Sequence, residues 1–124
     1  MKILVVDDEQ DVQTLFLQKF RREIREEKVE FAFAFNGVEA LDYLGQHHHE
    51  AVLILSDINM PGMSGLELLK EIKQHPAPPP PPIVMMITAY GDEENFSQAM
   101  RLGADDFLTK PLDFNHLKEK LNLA

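Results

Sequence analysis

Short apolar runs alternate along the chain with longer stretches in which apolar residues recur at helical spacing. Apart from Lys2, residues 2–6, 51–55 and 83–87 are continuous apolar runs that are too short for a helix. Runs of this kind are typical of strands buried on both faces of a sheet. Residues 29–35 instead alternate large and small side chains, which also predicts a strand. Residues 104–108 complete a set of five predicted strands.

The segments between and after these strands have the features of helices. Asn36 followed by Glu39, and residues 64–67, are capping boxes, and Gly103 is a typical helix end. The predicted helices span residues 12–24, 36–44, 64–75, 92–102 and 113–123. Strands that alternate with helices form βαβ units with right-handed crossovers. The predicted fold class is therefore α/β, a doubly wound five-stranded parallel sheet with helices on both faces.

Length, composition and charge narrow the class of protein. A chain of 124 residues with 44% hydrophobic and 27% charged residues predicts one globular domain over residues 1–124. The absence of cysteine excludes thiolate chemistry and fits a cytoplasmic location. The net charge of −9 argues against nucleic acid or an anionic membrane as a direct partner. We find neither a signal peptide nor an apolar run near the roughly 20 residues that span a bilayer.

Polar side chains follow four of the predicted strands, at the point where each strand ends. They stand after the first, third, fourth and fifth strands: Asp7 and Asp8, Asp57, Thr88, and Lys110. In doubly wound sheets the site lies beyond the carboxyl ends of the strands, so we expect these side chains to converge. Carboxylates favour Mg²⁺, Ca²⁺ or Mn²⁺, and a lysine suits a phosphoryl oxygen. The set predicts a metal-assisted phosphoryl-transfer site.

Asp57 is the predicted nucleophile of this site. The chain has no cysteine, and Ser56 has no obvious base beside it, whereas a carboxylate can attack phosphorus and form an acyl phosphate. Each residue also has a purely structural explanation, since Asp8 could cap a helix and Lys110 could be a solvated charge. Their placement on one edge of the sheet favours the functional interpretation.

Four segments of the chain resemble the receiver domains of bacterial two-component response regulators. They are VVDDE at 5–9, SDINMPGMSG at 56–65, ITA at 87–89 and GADDFLTKP at 103–111. Their order and spacing match the family over the whole chain. The resemblance implies a flavodoxin-like sheet of strand order 2-1-3-4-5. It also implies a signalling domain that takes a phosphoryl group from a sensor histidine kinase or phosphotransfer protein and catalyses only its own phosphorylation and dephosphorylation.

The resemblance assigns a role to each acidic residue of the site. Asp57 is the phospho-acceptor and also a metal ligand. Asp8 binds Mg²⁺ directly, with Mn²⁺ as a possible substitute, and Asp7 binds it largely through water. The backbone carbonyl of Asn59 is a further metal ligand.

The resemblance also assigns the residues that bind the phosphoryl group and transmit its effect. Thr88, the backbone N–H of Ala89 and Lys110 bind phosphoryl oxygens, and the Lys110–Pro111 peptide bond is expected to be cis. Phe107 is the switch aromatic that responds to Thr88, and because it has no hydroxyl the switch must depend on packing. The output surface is built by the fourth helix, the fifth strand and the fifth helix. Partners or a second copy of the chain, in a weak homodimer, should bind there.

Three other functions remain as alternatives. A receiver-like interaction module that is not phosphorylated should have lost Asp57, Lys110 or an acid of the first loop, and none is lost. An aspartyl-phosphate hydrolase would want a second acid where Asn59 stands. A flavodoxin would need a Ser/Thr/Gly phosphate loop where residues 7–9 are acidic.

Three further features are interpreted as structural or as secondary to the predicted phosphoryl-transfer site. The proline-rich residues 76–82 favour polyproline II, and we interpret them as a tolerated loop rather than a ligand for a proline-reading domain. Residues 47–49, three consecutive histidines, are interpreted as a solvated loop rather than a metal site. Asn59 and Tyr90 are expected to flank the path of the water that hydrolyses the acyl phosphate.

Overall fold

The chain folds into a five-stranded parallel sheet with helices on both faces. The computed structural model describes residues 1–47, 52–74, 82–89 and 91–123. The strands are β1 (Lys2–Val6), β2 (Glu30–Ala34), β3 (Val52–Asp57), β4 (Ile83–Ala89) and β5 (Asp106–Lys110). The helices are α1 (Gln10–Lys19), α2 (Arg21–Arg25), α3 (Gly37–Gln46), α4 (Gly65–Gln74), α5 (Glu93–Arg101) and α6 (Phe114–Lys120). The strand order β2-β1-β3-β4-β5, parallel throughout, confirms the predicted fold class and order.

Some sequence features lie outside the described residues. They are His48 and His49, residues 76–81 of the proline-rich segment, and Tyr90. Among the helices of the described ranges, none combines the length and the apolar character needed to cross a bilayer.

An apolar core lies on each face of the sheet. On one face Phe16 of α1 and Leu117 of α6 pack in a cluster that contains Val5. On the other face Leu68 of α4 belongs to a cluster that contains Val6. Because successive residues of β1 enter different cores, the strand is buried on both faces, as its continuous apolar run predicts.

The first predicted helix is divided at Phe20 into α1 and α2. Phe20 leaves the helical geometry, with φ −106° and ψ 18°, and its ring is fully buried. Its centroid lies 5.9 Å from that of Phe16, 5.0 Å from Phe31 and 6.1 Å from Phe114. These ring contacts hold Phe20 in the core, so the prediction of one helix over residues 12–24 is wrong at this point. The output surface predicted from the sequence therefore consists of α5, β5 and α6.

The fifth strand begins two residues later than the sequence predicts. Ala104 belongs instead to the turn after α5, where its N–H donates to the carbonyl of Ala99 at 3.0 Å. Asp105 then exchanges hydrogen bonds with Val84, since its N–H donates to the Val84 carbonyl and its Oδ2 accepts from the Val84 N–H, both at 2.8 Å. Strand pairing starts only at Asp106. The predicted strand over residues 104–108 is thereby corrected to Asp106–Lys110, which places Lys110 within the strand.

An ion pair between the buried Glu23 and Lys118 links α2 to α6. The Glu23 side chain is 3% exposed, and its Oε2 lies 3.2 Å from Nζ of Lys118, which is also 5.2 Å from the Phe20 ring centroid. Within the described part of the chain no hydrogen bond reaches Glu23 Oε1. Burial disfavours the ionised carboxylate, but a backbone hydrogen bond and the Lys118 ammonium outweigh it and lower the pKa of Glu23. The pair therefore stabilises the folded chain above the ordinary glutamate pKa, and this stabilisation is lost as the pH falls through the lowered value.

We predict that Lys118→Ala destabilises the chain far more than Lys120→Ala. Removing Lys118 leaves a buried carboxylate without its counter-charge, which costs about 3 kcal/mol. Lys120 pairs at 2.8 Å with Asp106, which is 32% exposed, so its removal should cost less than about 1 kcal/mol. Urea unfolding at pH 7 measures both. Equal losses in the two variants would contradict the assigned burial of the Glu23 pair.

Candidate functional site

Three carboxylates meet at the carboxyl edge of the sheet. Asp57 is the last residue of β3, and Asp7 and Asp8 directly follow β1, whose Val6 pairs with Ser56. Asp7 and Asp57 are 7% and 3% exposed, and Asp8 is open to solvent. Carboxylate oxygens of the three residues lie within 4.8 Å of one another. The structure therefore brings together the acids that the sequence predicted would converge.

Both carboxylate oxygens of Asp57 have partners within the chain. Oδ2 accepts from Nζ of Lys110 at 2.8 Å, across 53 residues of sequence. Oδ1 accepts from the backbone N–H of Asn59 at 3.3 Å. Lys110 is the last residue of β5, and its peptide bond to Pro111 is cis. Asp57 is thus held between its own loop and the far edge of the sheet.

The pKa values of Asp7 and Lys110 depart from their usual values because the site is partly buried and crowded with charge. Burial raises the pKa of Asp7, the backbone N–H of Glu9 lowers it at 2.9 Å, and the neighbouring Asp57 raises it again. Burial opposes the charge of Lys110, but its hydrogen bond to Asp57 and the nearby acids raise its pKa. The pKa of each group is raised overall, that of Asp7 mainly by its burial and that of Lys110 by the hydrogen bond and the charges of the acids around it.

The three carboxylates have the arrangement of a cation site. Their oxygens can reach a common point, and oxygen ligands favour a hard divalent ion. A cation there would offset the mutual repulsion of the three acids. The backbone of Asn59 lies beside them, since its N–H bonds to Asp57. The residues therefore fit a metal ion, and their chemistry does not select one divalent ion over another.

Thr88 and Ala89 are the last two residues of β4, beside Asp57. Ile87 pairs with Asp57 in the sheet, so Thr88 stands one residue beyond Asp57 on the neighbouring strand. Ala89 pairs with Lys110 on the other side. Thr88 is 2% exposed. The strand order thus places a buried hydroxyl between the strand that carries Asp57 and the strand that carries Lys110.

A cavity connects Thr88 to the surface formed by α5 and β5. It has a volume of about 290 Å³, and Thr88, Phe96, Phe107 and Thr109 are among the residues that line it. Phe107 lies on β5 opposite Met86 and is half-buried. Thr88 and Phe107 therefore border the same empty space, as a coupling between them requires.

The peptide of Asp57 is held by two residues whose roles the sequence did not reveal. The hydroxyl of Ser56, fully buried, donates to the Asp57 carbonyl at 3.0 Å. Gly65, the first residue of α4, packs so closely that a Cβ there would overlap the same carbonyl oxygen. Its N–H also donates to the Ile58 carbonyl at 2.8 Å. A glycine directly after the helix cap Ser64 was the only sequence signal for this contact.

The family model of the response regulator receiver domain matches residues 3–122 of the chain. The chain therefore belongs to the response regulator receiver domain family. Receiver domains are the phosphoryl-accepting signalling domains of two-component response regulators.

Curated relatives and solved structures agree with this membership. The chain is 36% identical to a CheY chemotaxis homolog of Campylobacter jejuni, over 98% of this chain and 89% of that protein. It is 40% identical to the response regulator PilR of Pseudomonas aeruginosa, over 99% of this chain but 26% of PilR. The chain spans about half or less of the length of several such relatives.

A similar solved structure comes from a complex. It is a chain of the co-crystal of the histidine phosphotransfer protein Ypd1 and the receiver domain of Ssk1 from Saccharomyces cerevisiae. The two chains superpose with a TM-score of 0.82 at 25% identity, over 98% of this chain and 86% of that one.

We predict that a methyl group at Gly65 is far more disruptive than one at Gly37. Both glycines begin a helix and both would place a Cβ within 3.0 Å of a neighbour. At Gly37 that neighbour is the flexible side chain of Met63, whereas at Gly65 it is the backbone of Asp57. Urea unfolding should show a loss of about 2 kcal/mol or more for Gly65→Ala and under about 1 kcal/mol for Gly37→Ala.

The control for this pair is Gly45→Ala. Gly45 lies on α3 with open space around it, so the substitution should raise the free energy of unfolding by up to about 1 kcal/mol through helix propensity. In amide NMR spectra, Gly65→Ala should move the Asp57 resonance most. A larger stability loss for Gly37→Ala than for Gly65→Ala would contradict the tight contact.

Proposed function

We propose that residues 1–124 form one receiver domain in which Asp57 accepts a phosphoryl group from a histidine of a sensor kinase or phosphotransfer protein. The observation that supports this most directly is the 2.8 Å ion pair between Asp57 and Lys110 inside a cluster of acids. Under this proposal, the nucleophile, the lysine that would bind the phosphoryl oxygens and the metal-binding acids lie together in one small volume. The domain would act as a signalling module whose only chemistry is its own phosphorylation and dephosphorylation.

The proposed reaction uses the chain's residues as follows. A carboxylate oxygen of Asp57 forms a bond to phosphorus as the bond from phosphorus to the donor's imidazole nitrogen breaks. Lys110 moves its hydrogen bond from the carboxylate to a phosphoryl oxygen and balances its charge. The Thr88 hydroxyl and the Ala89 N–H, at the end of the neighbouring strand, donate to the remaining oxygens. Positioning of these groups supplies most of the catalysis.

We propose Mg²⁺ as the cation, with Mn²⁺ able to replace it. Asp8 and Asp57 would hold it directly, Asp7 through water, and Asn59 through its backbone carbonyl. When bound, the ion would neutralise negative charge on the phosphoryl group. The proposed compartment is the cytoplasm, because a chain without cysteine needs no oxidising environment to fold.

A groove beside the site supports a protein phosphodonor rather than a small molecule alone. It measures about 240 Å³ and is lined by Lys110, Asp7 and apolar residues that include Leu15, Phe16 and Leu112. Leu15 is 40% exposed although it is apolar and lies next to the acids. An apolar surface bordering the acceptor suits a partner helix that presents a histidine to Asp57. Phosphorylation would then alter the α5–β5–α6 surface, to which a partner or a second copy would bind.

The alternative is a receiver-like interaction module that is not phosphorylated. The buried Asp57 and its lysine partner disfavour it, because a module without chemistry gains nothing from three clustered acids. A phosphorylation assay separates the two functions.

We predict that acetyl phosphate or phosphoramidate with Mg²⁺ adds one phosphoryl group to the chain. Asp57→Asn should abolish the addition because it removes the nucleophilic carboxylate. Asp11→Asn, the same substitution at an exposed position of α1, should leave the phosphoryl addition intact. Intact-protein mass spectrometry distinguishes these results. An Asp57→Asn chain modified as fully as the original would show that the acceptor is another residue.

The metal assignment predicts a graded loss of Mg²⁺ affinity. Asp8→Ala should abolish measurable binding, because it removes a direct ligand. Asp7→Ala should weaken binding by about tenfold, as expected for a ligand that acts through water. Asp11→Ala serves as the control for a lost surface charge. Isothermal titration measures the series, and wild-type affinity in Asp8→Ala would overturn the proposed ligand roles.

A further inference from the structure

Phe107 stands at the proposed switch position but has no hydroxyl that could hold it there by a hydrogen bond. Its half-buried ring instead meets the ring of Phe96 on α5. The two centroids are 4.3 Å apart and the ring planes are inclined at 65°. This edge-to-face arrangement is favourable for aromatic pairs. Phe96 thus supplies, by packing, a contact that holds the ring of Phe107 in its observed position.

Space into which the ring of Phe107 could move lies beside it. The cavity of about 290 Å³ that borders Phe96 and Phe107 also reaches the buried Thr88. If the Thr88 hydroxyl turned toward a phosphoryl group, the ring of Phe107 could enter this space. Phe107 therefore has two possible positions. In the outward state its ring lies against Phe96, and in the inward state it lies toward Thr88.

We infer that Phe96 is a positioning residue, which acts through Phe107 and holds the unmodified chain in its outward state. This inference rests on the proposed function. An edge-to-face pair corresponds to about two- to tenfold in the ratio of two conformations. Loss of the Phe96 ring should therefore raise the population of the inward state by that factor.

A ligand of Asp57 that favours the inward state reports on this population. Its apparent affinity is proportional to the fraction of chains already in the competent state. Beryllofluoride, which adds to a carboxylate as a phosphoryl mimic, is the probe. Removal of the Phe96 ring should thus tighten beryllofluoride binding, although Phe96 is not part of the acidic cluster.

The experiment titrates beryllofluoride, in the presence of Mg²⁺, into the full chain and three variants and follows the Thr88 amide by NMR. Phe96→Ala should lower the apparent Kd about two- to tenfold. Met100→Ala, which truncates an exposed apolar residue of the same helix outside the cavity, should not change it. Phe96→Leu keeps most of the volume without the ring and serves if the alanine variant does not fold.

A double-mutant cycle tests whether the effect passes through Phe107. In a Phe107→Ala background, Phe96→Ala should no longer tighten binding. Unchanged or weaker binding in both Phe96 variants would overturn the inference, as would a gain that persists without Phe107. If the unmodified chain itself fails to bind beryllofluoride, the proposed function is wrong instead, so the two failures are distinguishable.

Discussion

Repulsion among three clustered carboxylates is the constraint on which the rest of the structure depends. Asp7, Asp8 and Asp57 remain close together only because β1 and β3 are adjacent, parallel and buried on both faces. Lys110 offsets part of the repulsion from a strand at the far edge of the sheet. The apolar core therefore stabilises a site that is unfavourable on its own, and a cation has an electrostatic reason to bind there.

Much of this arrangement could be predicted from the sequence because it depends on local patterns. Continuous apolar runs identify the buried strands, and parallel strands necessarily end at one edge. Asn36 illustrates how reliable a local signal can be, since its Oδ1 accepts from the Glu39 N–H at 2.8 Å as the capping box predicts. Asp57 and Lys110 could be placed near one another for the same reason.

Features set by contacts between distant residues could not be predicted. The break at Phe20 depends on rings from β2 and α6, and the late start of β5 depends on an Asp105 side chain that takes the Val84 N–H. The contact between Gly65 and the Asp57 carbonyl depends on how α4 approaches β3. In each case the pattern along the chain is compatible with the observed geometry but does not select it.

The close packing of α4 against Asp57 leaves unequal space on the two sides of this residue. On the Gly65 side there is no room even for a methyl group, so the backbone there has little space to move. On the Thr88 side, an open volume of about 290 Å³ leaves room for side chains to move. A phosphoryl group added to Asp57 would meet both sides, but the structure has more space to adjust on the Thr88 side. The direction in which this domain can deform is thus set by one glycine as much as by the residues that move.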